Sequence, residues 1–265
     1  MTELSAADRA YVIEHGLDAL TGMPLVPATR AIYESVDPAV IAPYRPDWPD
    51  LVRLHRTIRE RRVTTVLEFG CGWSTLVMAD ALRRNEAEHG TWVLANLRRG
   101  NPFEVHVVDD MQRYLDEAVA RVPADLRGRV IPLLSPVDMT TFSGRICTQY
   151  RRLPNVSPDF IYLDGPSQAS AEGDVQGIST RHPDRLPMSC DLLRLEPFLL
   201  PGTLVLVDGR TANARFLRAH FYRTWDYRWD AHADVHWFEL REEPLGRYNR
   251  AQVEWCLGAD WLSRG

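Results

Sequence analysis

At 265 residues, with 45% apolar and 25% charged side chains, the chain has the proportions of a globular protein able to bury one substantial core. Its formal net charge of −5 argues against nucleic acid and anionic membrane as partners, because polyanion binding rests on a basic excess. All 31 basic residues are arginine, which excludes Schiff-base, P-loop and general-base lysine chemistry.

The opening segment, MTELSAADRA, lacks the basic and apolar regions of a signal peptide, and no run reaches the ~18–20 apolar residues of a membrane span. The expectation is a cytoplasmic protein with no membrane partner. Residues 1–60 read as a helical N-terminal arm or cap, broken at Pro24, Pro27, Pro38, Pro43, Pro46 and Pro49 and available to pair two subunits as a homodimer. Within it, Leu51, Leu54 and Ile58 recur at helical spacing. The arginines between them read as a solvated helix face in preference to a binding patch.

From Val63 onward short apolar runs alternate with helical stretches. That pattern predicts an α/β domain over 61–265: a Rossmann-like, doubly wound, mostly parallel sheet covered on both faces. The predicted strands are Val63–Phe69, Glu104–Asp109, Arg129–Leu134, Asp159–Asp164 and Thr203–Asp208. Tyr227–Trp229 and Val235–Leu240 follow as an antiparallel C-terminal strand pair. Cys71, Cys147, Cys190 and Cys256 are scattered without a CxxC pair, so neither a zinc site nor a disulfide framework follows from them.

The strongest signal is VLEFGCGWSTL, residues 66–76. A buried strand ends at Phe69, Gly70 and Gly72 turn the chain, and a helix begins near Ser74, a good N-cap residue. Glycine suits such a loop because a Cβ would block the approach of a ligand to the backbone. The N–H groups of the helix start then favour an anionic or carboxylate group. Glu68 precedes the loop, and Asp109 closes the next predicted strand, placed to accept both hydroxyls of a ribose. A dinucleotide fingerprint would want a third glycine near Thr75, where none stands.

These residues resemble the class I S-adenosylmethionine-dependent methyltransferase family over roughly residues 60–240. The acid-x-Gly-x-Gly motif of that family matches Glu68, Gly70 and Gly72, and its second-strand acid matches Asp109. The resemblance implies that the loop, with Trp73 and Ser74, wraps the methionine part of the cofactor while Asp109 binds the ribose, and that Asp164 also belongs to the cofactor-binding set. The Ser74-Thr75 pair looks like the branch that methylates sugars and natural products. One departure is visible: 39 positions separate Gly70 from Asp109, against about 20 in a compact nucleotide-binding unit. The excess is assigned to an insertion at Gly90–Pro102. The alternative makes TWVLAN the second strand and Asn96 its end residue.

Ligands of open parallel sheets bind beyond the carboxyl ends of the strands. There the sequence offers Asp164 and Gly165 after IYL, and Asp208 and Arg210 after LVLV. Between them, residues 165–191 form a polar, Gly- and Pro-broken segment carrying Asp174, Arg181, His182, Asp184 and Arg185. It reads as the acceptor-binding loop, with plain disorder as the alternative. An alcohol acceptor needs a base, and the candidates are Asp164, His182 and Asp208. A divalent metal is a further option, with Asp164, Asp208 and Asn213 as candidate ligands, although Gly209 stands where a second acid or amide would be expected. His232, Asp234 and His236 more readily span a turn than hold a metal.

The function expected from these residues is O-methylation of a small hydroxylated acceptor, a sugar or natural-product intermediate, with S-adenosylmethionine as cofactor. No Asn-Pro-Pro-Tyr-like motif follows the fourth strand, which favours oxygen over nitrogen. The alternatives are a non-catalytic cofactor-binding or scaffold protein and an NAD-dependent oxidoreductase.

Overall fold

The structure is a computed structural model that describes residues 4–26 and 47–263. Among them, seven strands form one sheet: β1 (Thr65–Phe69), β2 (Glu104–Asp109), β3 (Val130–Leu134), β6 (Phe160–Leu163), β7 (Leu204–Asp208), β8 (Trp225–Asp230) and β9 (Val235–Leu240). The remaining two, β4 (Val137–Phe142) and β5 (Arg145–Tyr150), pair separately. The sheet order is β3-β2-β1-β6-β7-β9-β8, parallel through β7 and antiparallel at β7–β9 and β9–β8. This is the Rossmann-like, doubly wound arrangement with its reversed C-terminal pair. The order changes direction at β1, whose neighbours are β2 and β6, so the crevice for a ligand opens beyond the ends of these strands.

Side chains alternate across the central strands, and both sides of β1, β6 and β7 are covered. Val66, Val105, Phe160 and Leu206 join one core with α1 (Ala6–Glu14), α2 (Leu17–Thr21), α3 (Trp48–Glu60) and α4 (Trp73–Asn96). Helix α5 (Gln112–Arg121) adds Leu115 to that core. Leu67, Phe69, Ile161 and Val205 join a second core on the opposite face, beneath β4–β5, α6 (Asp191–Leu195) and α7 (Thr211–His220). Burial on two faces is why TVLEF and FIYL are apolar or buried at every position. Helices α8 (Gly246–Leu257) and α9 (Ala259–Leu262) end the described chain.

The N-terminal arm folds against its own chain. Val12 and Leu17 share the first core with Leu54 and Ile58 of α3, and the Tyr11 hydroxyl meets His55 Nδ1 at 2.8 Å. The α3 arginines are engaged by neighbouring acids: Arg53 with Asp50 at 2.6 Å, Arg56 with Asp8 at 2.9 Å and Arg59 with Glu88 at 2.5 Å. Pro49 does not break a helix as expected. It lies in the first turn of α3, where its missing N–H has no intrahelical partner to lose. Pro27, Pro38, Pro43 and Pro46 lie outside the described residues.

Two further expectations are corrected. Gly90–Pro102 is not an insertion: α4 simply runs 24 residues to Asn96, carrying Val93 into the core. Asn96 donates Nδ2–H to the Trp92 carbonyl at 2.8 Å, so it closes a helix and no strand. Residues 137–150, unassigned from sequence, form the β4–β5 hairpin in place of a crossover helix. Ser143 and Gly144, at φ 48° and 73°, make the two-residue turn with both central residues left-handed.

The 165–191 segment has no helix before α6 begins at Asp191, yet it is well anchored, because the edges of that hairpin satisfy its backbone. Glu172 N donates to Val137 O at 2.7 Å, Met139 N to Glu172 O at 2.9 Å and Thr148 N to Met188 O at 2.7 Å. The alternative of plain disorder gives way to backbone pairing with both hairpin edges.

Candidate active site

The two loop glycines serve different needs. Gly70 sits at φ +88°, a left-handed conformation, and a Cβ on it would stand 3.0 Å from Gly165 N. A Cβ on Gly165 would meet Gly70 N at 2.5 Å, so the loops after β1 and β6 touch backbone to backbone. Gly72 has extended backbone at φ 176°, and a Cβ there would meet only Ser74 Oγ, at 3.8 Å. Nothing in the fold requires glycine at 72; what a side chain would occupy is the open space over the loop.

Helix α4 starts at Trp73 with Gly72 as its N-cap, one correction to the expectation of Ser74. No side chain caps that end by accepting its first N–H groups, which leaves a partial positive charge facing the mouth. Ser74 instead donates its hydroxyl to Glu68 Oε1, and Thr75 donates to Glu68 Oε2 at 2.6 Å while accepting Gly72 N–H at 3.2 Å. Glu68 is 1% exposed, and burial pushes its carboxyl up to about 8. The acid thus ties the loop from below. Thr75, fully buried, fills the place of a third glycine, so the loop lacks the dinucleotide shape. The Trp73 ring lies under the Arg121 guanidinium, 5.1 Å from its centroid.

Asp109 ends β2 beside this loop. Its Oδ1 accepts Met111 N–H at 2.8 Å. Burial, then the neighbouring Asp110 charge, pushes the Asp109 carboxyl up to about 7.

Asp164 and Asp208 face each other closely enough for the Asp164 charge to raise the Asp208 carboxyl. Asp208 Oδ2 accepts the Tyr162 hydroxyl at 2.7 Å. Burial, then the charges of Asp50 and Asp164, pushes Asp208 up to about 8. Burial also pushes Asp164 up to about 6, while Arg210 draws it back. The Asp164 side chain is 53% exposed, so water reaching the mouth moderates that rise. Arg210 donates to the Pro166 carbonyl at 2.7 Å and to the Asp164 carbonyl, pinning the turn after β6. Asp50 in the first turn of α3 and the Tyr162 phenol were not singled out from sequence. Asp50 precedes the sheet by a whole helix, and Tyr162 reads as one apolar letter of FIYL.

Other candidates fall elsewhere. His182 is exposed, accepts Asp184 N–H on Nδ1 at 3.1 Å, and makes no hydrogen bond or ion pair with Asp164 or Asp208. Asn213 is fully buried with its amide spent on Ser189: Oδ1 accepts Ser189 N–H at 3.0 Å and Nδ2 donates to Ser189 O at 2.9 Å. It has no oxygen turned to a cation, which corrects its candidacy as a ligand. Among the described residues no three His, Cys, Asp or Glu side chains are grouped to hold a metal ion. His232 and Asp234 lie in the β8–β9 turn as expected, and His236 is buried between Thr211 and Tyr227, each 2.9 Å from a ring nitrogen.

No family model and no curated protein sequence matches the chain. Among solved structures it is similar to the O-methyltransferase TomG of Streptomyces achromogenes, involved in tomaymycin synthesis and determined with S-adenosylmethionine. That likeness covers 74% of this chain and 81% of TomG at 15% identity, with a TM-score of 0.40. The S-adenosylhomocysteine-bound methyltransferase PaMTH1 of Podospora anserina matches over 75% and 80% of the two chains at 13% identity, TM-score 0.43. The O-methyltransferase of Bacillus cereus, with S-adenosylhomocysteine, matches over 89% and 91% at 13% identity, TM-score 0.37. Likeness at this level transfers no residue roles to this chain, whose site is read from its own geometry.

Proposed function

We propose that the protein is an S-adenosylmethionine-dependent O-methyltransferase acting on a small hydroxylated acceptor, such as a sugar or natural-product intermediate. One observation carries the reading: Gly72, free of any conformational need to be glycine, keeps space open between an uncapped helix start and the buried Asp109. Those features fit the cofactor, with Asp109 for the ribose hydroxyls and the 70–74 loop for close backbone approach. Asp164, ionised at neutral pH, suits a cationic sulfonium. Bound there, the cofactor would supply an electrophilic methyl group.

The chain's own part is to align the acceptor and to take its proton. Asp164 is the best base, because a carboxyl near 6 is ionised at neutral pH whereas Asp208, near 8, is mostly protonated there. His182 ranks below both on its position. A cation held by Asp164 and Asp208 is a lesser alternative, since Arg210 already answers the Asp164 charge. Residues 165–191 are read as the wall that selects the acceptor. Domain limits of 1–60 and 61–265 belong to the same proposal. So does pairing of two chains through the arm, which the 61% exposure of Ile13 on α1 favours. Among the described residues no helix is long and apolar enough to cross a membrane. Four free cysteines support a cytoplasmic setting.

Transfer of labelled methyl from S-adenosylmethionine across a panel of hydroxylated acceptors tests the activity. Label in at least one acceptor, abolished by Gly72→Val, is expected. Cofactor binding without transfer to any acceptor would favour the non-catalytic alternative.

A further inference from the structure

Strand β8 closes one side of the sheet and pairs only with β9 among the described residues. Successive residues of an antiparallel strand turn their N–H and C=O to opposite sides. Arg241 N donates to Thr224 O at 2.8 Å, which fixes the phase at this edge. Thr224 therefore faces β9, and by the period of two so do Asp226, Arg228 and Asp230. The phase of β9 agrees, because Leu240 turns its N–H to Thr203 O and its C=O to Gly202 N, towards β7. Trp225, Tyr227 and Trp229 thus point their backbone groups outward, and among the described residues no partner meets those groups.

Such an edge is a template for another strand unless it is blunted. The opposite edge, β3, carries Pro132. β8 has six residues, no proline and two tryptophans, with Trp229 45% exposed. Its charges select the strand that fits. Asp226, Arg228 and Asp230 share one face and are all exposed. The Asp226 side chain is 71% exposed and meets Arg241 at 3.4 Å, while the Arg228 guanidinium lies 5.1 Å from the Trp237 ring centroid.

A second β8 laid antiparallel about Tyr227 matches this pattern. Tyr227 then exchanges both backbone hydrogen bonds with its own copy, and Trp225 does so with Trp229 of the second chain. Asp226 stands opposite the second copy's Arg228, and Arg228 opposite its Asp226, at the non-hydrogen-bonded positions where side chains come closest. Moving the axis by one residue would instead set Asp226 against Asp226 or Arg228 against Arg228. Beside Trp225 an open groove of about 380 Å³ is lined by Arg218, Phe221, Tyr227 and Phe238. In this register the second copy's Trp229 falls on the face of the ladder that holds the groove. Tryptophan, tyrosine and arginine are also the residues that dominate binding energy at interfaces.

We propose that β8 pairs with β8 of a second copy of this chain about a two-fold axis at Tyr227, joining the two sheets into one. The contact goes beyond the methyltransferase reading, does not depend on it, and uses none of the residues of the N-terminal arm.

Sedimentation equilibrium of the full chain tests the pairing with Asp226→Arg and Arg228→Asp, each alone and then mixed. Either substitution alone sets like charges opposite one another at both contacts, whereas the mixture restores opposite charges at both. Both positions are exposed, and circular dichroism confirms the fold. The expected result is a wild-type chain that self-associates, a dissociation constant raised about tenfold or more in each variant alone, and association recovered on mixing. A wild-type chain that stays monomeric would overturn the proposal. Association unchanged in both variants would also overturn it and move any pairing elsewhere, the arm included. Loss in each variant without recovery on mixing would overturn the register about Tyr227 and the proposal with it.

Discussion

Gly70 and Gly72 look equivalent in a motif and differ in physical role. Gly70 is held at φ +88° against Gly165, so Gly70→Ala adds strain on the order of 1–3 kcal/mol and lowers the unfolding midpoint in urea. Gly72→Val, with extended backbone and no clash, is expected to keep that midpoint and lose cofactor binding. A variant with normal cofactor affinity would sink the assignment of the loop. Glu68 makes a second residue-level case. Its carboxyl is raised to about 8, so between the ordinary carboxylate value of about 4 and pH 8 the folded state holds a proton that the unfolded state has released. The proton therefore favours the fold at low pH, and this contribution is lost as pH rises toward 8. Melting temperature should fall over that window more steeply in wild type than in Glu68→Gln; parallel curves would contradict the buried, raised acid. At the mouth, Asp164→Asn should remove a rise in transfer rate centred near pH 6, and its survival would move the base to another residue.

The elements show where sequence patterning is and is not informative. β2 and β9 were legible to the residue, because FEVHVVD and VHWFEL each end in clear turn or helix signals and bury alternate or successive apolar residues. The end of α4 was not, since TWVLAN has the composition of a strand and only burial of Val93 along the helix face decides it. The hairpin was missed because β4 and β5 are mostly half-buried and rich in polar residues, so period-2 contrast is weak. Its one clear signal was Ser143-Gly144 between two runs of β-forming residues. A Cβ on Gly144 would meet nothing within 4 Å, yet the residue sits at φ +73°. Gly144→Val should therefore destabilise by about 1–2 kcal/mol through backbone strain alone, read by urea unfolding. A neutral effect would mean that the turn is not the left-handed pair described.

For the whole molecule, the doubly wound order fixes the crevice at the ends of β1, β2, β6 and β7, and that much of the site followed from sequence. Glu68, Asp109, Asp164, Asp208 and Arg210 were all legible as residues closing or following buried strands. Asp50 and Tyr162 were not, because each reaches the mouth through tertiary packing that no local pattern encodes. His182 and Asn213 were misplaced for the same reason, one turned outward on its loop and the other locked to the Ser189 backbone. The central claim is that this mouth binds S-adenosylmethionine. Calorimetric titration of the purified protein with S-adenosylhomocysteine, with NAD as control, tests it most directly. Micromolar binding of the first and none of the second is the predicted result. No binding of S-adenosylhomocysteine would contradict the account and reduce the glycine loop to a tight turn.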